Sequence, residues 1–326
     1  MKRDFSVAIV GAGALGSAIG GVLAEHGANV TLVTGNSAHR DAVQAEGLML
    51  TADGKTFRHV AVSAVADCSA ITTPVDLAII LIHSAGTAQA ARDATAIVRR
   101  DSMIFSLQNG LGQEELLSDV LGRERVLGGK TYAGGLMIAP GKVQATVAGK
   151  RTLIGELDGK ISDRATSVAQ MMTSLGVPTE VAPDIRVAIW DKLLINVATG
   201  ALSTITRMTY GELYAQPGLA EVAQSAVAEA MAVARAEGVN LTISEPAEAW
   251  HMASAGLPDN FRTSMLQTIL KGRRSEIDFI NGAVVARGAR HGVPTPVNVA
   301  LVACVKGIEA SGGFALSHSP SAQDAR

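Results

Sequence analysis

The most constraining feature of the chain is an apolar run that leads directly into three closely spaced glycines. Residues 7–16 read Val-Ala-Ile-Val-Gly-Ala-Gly-Ala-Leu-Gly, so that Gly11, Gly13 and Gly16 have the spacing G-x-G-x-x-G. After a strand, this spacing permits a tight turn, a close approach of backbone to a pyrophosphate, and close packing of the following helix. The unpaired N–H groups at the start of that helix favour an anion. The segment therefore predicts a dinucleotide site.

The flanking residues agree with a βαβ unit. Apolar side chains recur at helical spacing from Leu15 to Leu23, and Gly27 is well placed to end this helix. A second apolar strand covers Asn29–Val33. Strand, turn, helix and strand thus fit in about 30 residues, the length expected of a βαβ unit.

A signal peptide or membrane span is the competing interpretation of residues 7–24, which carry no charge and follow Lys2 and Arg3. Five glycines within the segment, and Asp4 in the basic start, argue against export.

The two cysteines, Cys68 and Cys304, show no metal or redox spacing. We expect a cytoplasmic protein, since free cysteines suit a reducing compartment.

Composition limits the remaining classes of function. At 326 residues the chain exceeds a typical single domain, and 48% hydrophobic with 18% charged residues is a globular composition. A net charge of −2 and 3% aromatic residues predict neither nucleic-acid nor membrane binding. The seven histidines show no paired-ligand pattern, so no metal site is expected.

The first half of the chain alternates short strands with helical patterns, as α/β domains do. The predicted strands are Val7–Val10, Asn29–Val33, His59–Val65, Leu77–Ile82 and Met103–Leu107. Several short strands are expected between Val126 and Ile154. A helix at Asp163–Leu175 and a last strand at Pro178–Val181 follow them. After Pro183, long helical periodicities replace the strands. The predicted helices are Ile185–Thr206, Leu219–Glu237, Glu245–Ala253, Phe261–Leu270, Arg274–His291 and Pro296–Ile308, with a frayed tail from Ser311.

These patterns predict two domains of different class. We expect an α/β N-terminal Rossmann-type dinucleotide-binding domain over residues 1–182 and an all-α C-terminal domain over residues 183–326. The few charges of the apolar helical half make a homodimer a reasonable expectation.

Lys192 is a candidate general acid. It shares a helix face with Asn196, four residues later, within the apolar segment Ile189–Val197. Partial burial disfavours a charged amine and makes its proton easier to give. A lysine whose stem lies along apolar surface with its ammonium in solvent is the alternative.

Two further polar positions stand out in the helical half. Glu276, Ile280 and Val284 would lie on one stripe of a single helix, where a carboxylate needs a partner such as a lysine across a cleft. An acid favoured by the helix dipole is the alternative. Thr263-Ser264 offers hydroxyls and helix amides to a substrate carboxylate, or is an ordinary helix start.

Asn109 lies in the segment Gln108-Asn109-Gly110 after the fifth predicted strand. Loops at this end of a doubly wound sheet face the cofactor. Asn109 is therefore a candidate ligand of the nicotinamide ribose or of substrate, although Asn-Gly also forms simple turns.

The motifs together resemble the ketopantoate reductase (2-dehydropantoate 2-reductase) family over nearly the whole chain. They are the glycine turn, Asn109-Gly110, Trp-x-Lys-Leu-x-x-Asn at 190–196, Ser264-Met-Leu-Gln, and Glu276-Ile-Asp-Phe-Ile-Asn-Gly. The resemblance implies a Rossmann domain and a helical domain that enclose a cleft. It also implies NADPH-dependent reduction of ketopantoate to D-pantoate in pantothenate biosynthesis.

The resemblance further implies roles for individual residues. Lys192 matches the general acid and Glu276 a glutamate beside substrate and nicotinamide, so both are expected to be catalytic. Substrate binding is expected from Asn109, Asn196 and Ser264. Cofactor binding is expected from Gly11, Ala12, Gly13, Ala14, Leu15, Gly16, Thr34, Arg40, Asn109, Ala133 and Glu276.

Three positions depart from the family pattern. His83 stands where well-known members have a lysine, and Gly200 and Tyr210 stand where the family has asparagines. A related 2-oxo acid is therefore an alternative substrate.

The motifs also leave the choice between NADP(H) and NAD(H) open. The family arginine after the second strand is replaced by Thr34 or Gly35, and residues 33–37 contain no acid of the kind that binds the ribose hydroxyls of NAD. Thr34, Asn36, Ser37 and Arg40 could instead hold a 2′-phosphate. We favour NADP(H) over NAD(H). Two other functions stay open: a non-catalytic redox sensor that keeps the dinucleotide site, and a different dehydrogenase of similar two-domain build.

Overall fold

The computed structural model describes residues 5–312, which fall into two compact units divided between Trp190 and Asp191. Every strand found among these residues lies in the first unit. They are β1 (Ser6–Val10), β2 (Asn29–Val33), β3 (Leu48–Thr51), β4 (Arg58–Val60), β5 (Ser63–Val65), β6 (Val75–Ile80), β7 (Val98–Ser106), β8 (Val126–Thr131), β9 (Gly134–Ala139), β10 (Lys142–Thr146), β11 (Thr152–Gly155) and β12 (Thr179–Val181).

Five helices of the first unit accompany these strands. They are α1 (Ala14–Glu25), α2 (Ser37–Glu46), α3 (Thr87–Ala94), α4 (Gln113–Leu121) and α5 (Asp163–Ser174). Gly27 ends α1 as expected, with φ +98° and its N–H bonded to the carbonyl of Ala24. The uncharged segment 7–24 is thus β1, the glycine turn and most of α1, and much of it is core.

The main sheet has eight strands in the order β12-β11-β8-β7-β6-β1-β2-β5. All neighbours run parallel except β8 and β11. Successive residues of β1 alternate between two apolar clusters, with Val7 and Ile9 in one and Ala8 and Val10 in the other. Because a strand's side chains point alternately to opposite faces, the sheet is buried on both.

A second sheet of four strands has the order β4-β3-β10-β9. Its existence explains one wrong prediction, the single strand His59–Val65. Residues 58–60 pair with β3 of the small sheet, whereas residues 63–65 pair with β2 of the main sheet. The segment is split because its two halves satisfy their backbone hydrogen bonds in different sheets.

The second unit is helical. Its helices are α6 (Ile185–Thr206), within which the two units divide, α7 (Tyr210–Tyr214), α8 (Pro217–Ala236), α9 (Pro246–Ser254), α10 (Ser264–Leu270), α11 (Asn281–His291) and α12 (Pro296–Ala310). An α/β N-terminal domain followed by a helical C-terminal region confirms the predicted fold class. The predicted tail lies almost wholly outside the described residues.

The single helix predicted over Arg274–His291 is wrong. A 3-10 turn covers Ile277–Phe279, and α11 begins only at Asn281. The N–H and hydroxyl of Ser275 both donate to Glu309 Oε1, at 2.7 and 2.6 Å. The interruption lies at Ile280, whose φ of −108° and ψ of −96° are outside the helical region, so the 3-10 turn does not continue into α11.

Within residues 5–312, no helix is both long and apolar enough to cross a bilayer.

Candidate functional site

The predicted cofactor residues of the first unit gather at one edge of the main sheet. β1 pairs with β2 on one side and β6 on the other, so the order of strands reverses there. Open α/β sheets bind ligands outside the carboxyl ends of the strands at such a switch point. The glycine turn follows β1, Thr34 follows β2, Asn109 follows β7 and Ala133 follows β8.

The three glycines differ in what a side chain at each position would contact. Gly11 has φ +101°, and a Cβ there would lie 2.4 Å from the backbone nitrogen of Ile82. A Cβ on Gly16 would lie 2.6 Å from the carbonyl oxygen of Gly11. Gly13 is exposed, and nothing lies within 4 Å of its Cβ position. Gly11 and Gly16 are therefore needed for the fold, whereas Gly13 leaves open space beside the turn.

The start of α1 is suited to an anion. The N–H groups of Gly11 and Ala12 are bonded to the carbonyl of Val33, which holds the turn against the end of β2. No side chain caps α1 at Gly13, so the amides of the first turn, which includes Ala14 and Leu15, have no side-chain acceptor at the cap. Uncapped helix amides and the open space at Gly13 fit a pyrophosphate.

Ala133 lies close to the same helix start in the fold. It immediately precedes β9, and its N–H donates to Thr131 Oγ1 at 3.1 Å. Two residues later, a Cβ on Gly135 would lie 2.3 Å from the carbonyl oxygen of Ala14. The backbone of β9 thus passes directly against the start of α1, which brings the Ala133 segment beside the glycine turn.

The loop between β2 and α2 is where the adenosine ribose is expected. Thr34 is buried, and its Oγ1 accepts from the N–H of Asn36 at 3.3 Å. Asn36 caps α2, since its Oδ1 accepts from the N–H of His39 at 3.2 Å. Arg40 is paired with its neighbour Asp41 at 2.8 Å. This pair is partly solvent-exposed and therefore weak enough to be exchanged for a phosphate.

Asn109 is held at both ends. Its backbone carbonyl accepts from Gln113 Nε2 at 2.9 Å and from Ser84 Oγ at 3.3 Å. Its side-chain Oδ1 accepts from Lys130 Nζ at 3.1 Å. A lysine ammonium can only donate, so the oxygen of the carboxamide must face Lys130. The Nδ2 group is then the part of Asn109 that can donate to a ligand.

Lys130 was missed by sequence reasoning. It is buried at 4% exposure and is the one charged residue of β8, whose other residues are Val, Leu, Gly, Gly and Thr. A lone charge in an otherwise uncharged strand is a signal that could have identified it. His83, at the position of the family lysine, is exposed before a short 3-10 turn at the end of β6.

Lys192 and Asn196 both lie on α6 and are half-buried. Burial lowers the pKa of the Lys192 ammonium below its ordinary value of 10.5. The adjacent Asp191 accepts hydrogen bonds from the N–H (3.1 Å) and the hydroxyl of Thr242. An ammonium with a lowered pKa gives up its proton more readily.

Beyond Asn196, the polar groups of α6 are engaged within the second unit. Thr199 Oγ1 lies 3.2 Å from the hydroxyl of Tyr210. The Cβ position of Gly200 lies 3.4 Å from the terminal methyl of Met265, which is ordinary van der Waals contact. Of the two positions where the family has asparagines, position 210 therefore holds a phenol beside Thr199, and position 200 faces a thioether.

Ser264 lies at a helix start, as expected, whereas Glu276 does not lie on the helix predicted for it. Ser264 is exposed as the first residue of α10, and the buried Thr263 caps the helix by accepting from the N–H of Leu266 at 3.3 Å. Glu276 is half-buried immediately before the 3-10 turn. The expected stripe of Glu276, Ile280 and Val284 on one helix is therefore wrong, since α11 begins after the first two.

The predicted site residues are divided between the two units. Gly11 to Gly16, Thr34, Arg40, Asn109 and Ala133 belong to the first unit. Lys192, Asn196, Ser264 and Glu276 belong to the second, where Met265 places the start of α10 against α6.

Comparison with known proteins gives consistent matches along the chain. Residues 7–159 match the family described as "Ketopantoate reductase PanE/ApbA", and residues 184–309 match "Ketopantoate reductase PanE/ApbA C terminal". A protein of Halobacterium salinarum named 2-dehydropantoate 2-reductase is 34% identical over 89% of this chain and 94% of its own.

Solved structures agree with the sequence matches. A PanE/ApbA family ketopantoate reductase from Ralstonia eutropha superposes with a TM-score of 0.85 at 34% identity, covering 94% of this chain and 99% of its own. A ternary structure of D-mandelate dehydrogenase with NADH and anilino(oxo)acetate also has a TM-score of 0.85, at 25% identity over 94% of this chain and 99% of its own.

Proposed function

The chain belongs to the ketopantoate reductase family, and from this premise we propose that it uses NADPH to reduce 2-dehydropantoate to D-pantoate. The family supports an oxidoreductase that acts on a CH-OH group with a dinucleotide. The observation that carries the finer proposal is Lys192, a half-buried ammonium whose pKa is lowered by burial. Such a group is suited to protonate a ketone oxygen.

The reaction adds a hydride and a proton across the carbonyl of the 2-oxo acid. When bound, the nicotinamide supplies the hydride that reaches the carbonyl carbon. As negative charge develops on the carbonyl oxygen, the Lys192 ammonium stabilises it and donates the proton. Lys192 is left as a neutral amine, which burial favours, and regains a proton from solvent.

Neighbouring groups would orient the substrate. Asn196, one turn along α6 from Lys192, and Ser264, at the start of α10, offer hydrogen bonds to the 2-oxo acid. Asn109 would donate through Nδ2 to the cofactor ribose or to substrate, because Lys130 engages its Oδ1. Glu276 would lie beside substrate and nicotinamide.

The residues of the β2–α2 loop support the proposed preference for NADPH over NADH. Residues 33–40 contain no acid, and Arg40 is paired only with the more exposed Asp41. The Arg40 guanidinium could turn to a 2′-phosphate at little cost. The test is the ratio of kcat/KM for NADPH to that for NADH. A ratio above one in the unmodified chain that falls to one or below in Arg40→Ala supports the assignment. A ratio below one in the unmodified chain contradicts it.

The substrate is tested by following oxidation of NADPH and NADH with ketopantoate, pyruvate, 2-oxoisovalerate and benzoylformate. We expect ketopantoate to have the highest kcat/KM. Lys192→Ala is expected to lower kcat by more than about 100-fold with cofactor affinity kept. Retained turnover would exclude Lys192 as the acid.

A second candidate is reduction of a 2-oxo acid with an apolar side chain. It is favoured by the apolar surroundings of the two positions that lack the family asparagines, since Gly200 lies beside Met265 and Tyr210 packs against Tyr214 and Phe261. In the same panel, a higher kcat/KM for benzoylformate or 2-oxoisovalerate than for ketopantoate supports this candidate. Gly200→Asn and Tyr210→Asn should then shift the preference toward ketopantoate.

A non-catalytic redox sensor predicts tight dinucleotide binding with no turnover of any 2-oxo acid in the panel. A homodimer and a cytoplasmic location remain predictions from composition.

A further inference from the structure

His39 is a buried histidine that the proposed reaction does not use. It is the third residue of α2, and its side chain is completely inaccessible to solvent. Both ring nitrogens have hydrogen-bond partners on other elements of the first unit. A histidine with two fixed partners has a defined tautomer, and that tautomer follows from the chemistry of the partners.

The first partner determines where the ring proton lies. The backbone N–H of Gly141, in the turn between β9 and β10, lies 3.0 Å from His39 Nδ1. A backbone N–H can only donate, so Nδ1 is the unprotonated acceptor. In the neutral ring the proton is then on Nε2. Burial lowers the pKa of His39, which keeps the ring neutral.

The second partner directs the remaining hydrogen bonds. His39 Nε2 lies 2.9 Å from the hydroxyl of Ser17, a fully buried residue of α1. Since Nε2 carries the proton, it donates to Ser17 Oγ. The hydroxyl proton of Ser17 is then donated to the carbonyl oxygen of Ala12, at 3.2 Å. The hydrogen bonds therefore run in one direction, from Gly141 through His39 and Ser17 to Ala12.

The end of this chain of hydrogen bonds lies in the glycine turn. Ala12 stands between Gly11 and Gly13, and its carbonyl is drawn toward the buried side of α1 by Ser17. A carbonyl oxygen turned toward a phosphate would repel it, whereas N–H groups attract it. His39 also belongs to the first turn of α2, next to Arg40 and three residues from Asn36. One side chain thus connects the turn expected at the pyrophosphate with the loop expected at the adenosine ribose.

We infer that His39 is a positioning residue for the dinucleotide, which through Ser17 holds the Ala12 carbonyl away from the phosphates and holds α2 in register with the glycine turn. The inference rests on the proposed dinucleotide site. It concerns cofactor affinity and not the chemical step, because His39 has no access to the reacting atoms.

The inference is tested by fluorescence titration of NADPH against purified full-length variants, with thermal melting and steady-state kinetics on the same samples. His39→Leu removes both ring hydrogen bonds, whereas Ser17→Ala removes the bonds of the hydroxyl to His39 and to Ala12 and leaves His39 bonded to Gly141. We expect the Kd for NADPH to rise about tenfold in His39→Leu, the factor that corresponds to about 1.4 kcal/mol. The Kd should also rise in Ser17→Ala, which removes the donor to the Ala12 carbonyl, and kcat at saturating NADPH should stay within about twofold in both.

A rescue variant and a control separate positioning from general stability. His39→Gln keeps an amide that can donate to Ser17 Oγ, so part of the affinity should return. Val43→Ala shortens another buried side chain of α2 and should lower the melting temperature without changing the Kd.

NADPH binding by the unmodified chain distinguishes failure of the positioning role from failure of the proposed function. If it binds NADPH and both His39→Leu and Ser17→Ala bind equally well, the positioning role is overturned. Should His39→Leu fail to fold, an unchanged Kd in Ser17→Ala alone overturns it, because the route to Ala12 passes through Ser17. If the unmodified chain binds neither NADPH nor NADH, the proposed function itself is wrong.

Discussion

Lys130 Nζ donates a 3.1 Å hydrogen bond to Asn109 Oδ1, joining the ends of two neighbouring parallel strands. The lysine is buried, and its ammonium fixes which end of the Asn109 carboxamide is available. A half-buried asparagine in a turn otherwise has two orientations of its amide. The buried cation therefore gives Asn109 the character of a hydrogen-bond donor at the carboxyl edge of the sheet.

Replacing Lys130 by Met should weaken ligand binding at Asn109. The carboxamide loses its donor and can rotate, so we expect KM for the cofactor or substrate to rise about tenfold, the cost of one misplaced charge-assisted hydrogen bond. Steady-state kinetics on purified protein measure this. Lys160→Met, at an exposed lysine, is the matched control and should leave KM unchanged. Equal KM values in both variants would contradict an orienting role for Lys130.

The three glycines of the turn should respond differently to alanine. Gly13→Ala places a methyl in open space, so the protein should fold normally and lose dinucleotide affinity. Gly11→Ala and Gly16→Ala place a methyl within 2.6 Å of backbone atoms and should lower the melting temperature. Thermal melting beside NADPH titration separates the two effects. An unchanged Kd in Gly13→Ala would mean that the phosphates lie elsewhere.

Burial of Lys192 should cost stability and move the pH profile. Its pKa is lowered in the folded chain from 10.5, so the unfolded chain binds more protons between the two values and stability falls as pH decreases through that window. Lys192→Met should therefore be more stable than the unmodified chain at pH 7.5, with the difference shrinking toward pH 10.5. Melting temperatures at both pH values test this.

The same shift predicts the pH dependence of turnover. A general acid must be protonated, so kcat should decline as pH rises, with the midpoint below the 10.5 of a free lysine. A profile flat up to pH 10 would argue against Lys192 as the proton donor.

Glu156 should stabilise the folded chain at neutral pH and lose this effect at acidic pH. Arg164 donates to its carboxylate at 2.6 Å and Ser162 does so at 2.6 Å, and these bonds hold its pKa below the usual 4.5. Stability from this group is present above pH 4.5 and is lost as pH falls through the lowered pKa. Glu156→Gln should cost about 1–3 kcal/mol at pH 7 and much less near pH 3, by urea unfolding. Asp158→Asn, at an exposed pair, is the control and should change stability little.

Local patterns determined much of the fold. The apolar run 7–10 and its glycines specified β1, the turn and the start of α1, because backbone sterics at Gly11 and Gly16 admit few alternatives. The long periodicity at 185–206 determined α6 to the residue. In these segments, local propensity and burial favour the same structure.

Tertiary contacts decided what the patterns left ambiguous. Residues 58–65 are divided between two sheets because residues 58–60 pair with the nearby β3, whereas residues 63–65 pair with β2, which lies much earlier in the chain. The helix expected from Arg274 is interrupted at Ile280, whose backbone leaves the helical region. Just before the interruption, Ser275 bonds to Glu309 of α12, a contact that is not visible in any local window.

The same division applies to the candidate site. Sequence alone predicted the glycine turn, Asn109 and Lys192 as site candidates, since each lies in a recognisable motif. Only the folded chain revealed Lys130 behind Asn109 and His39 behind Ala12, because each is joined to its target by a hydrogen bond that depends on three-dimensional proximity.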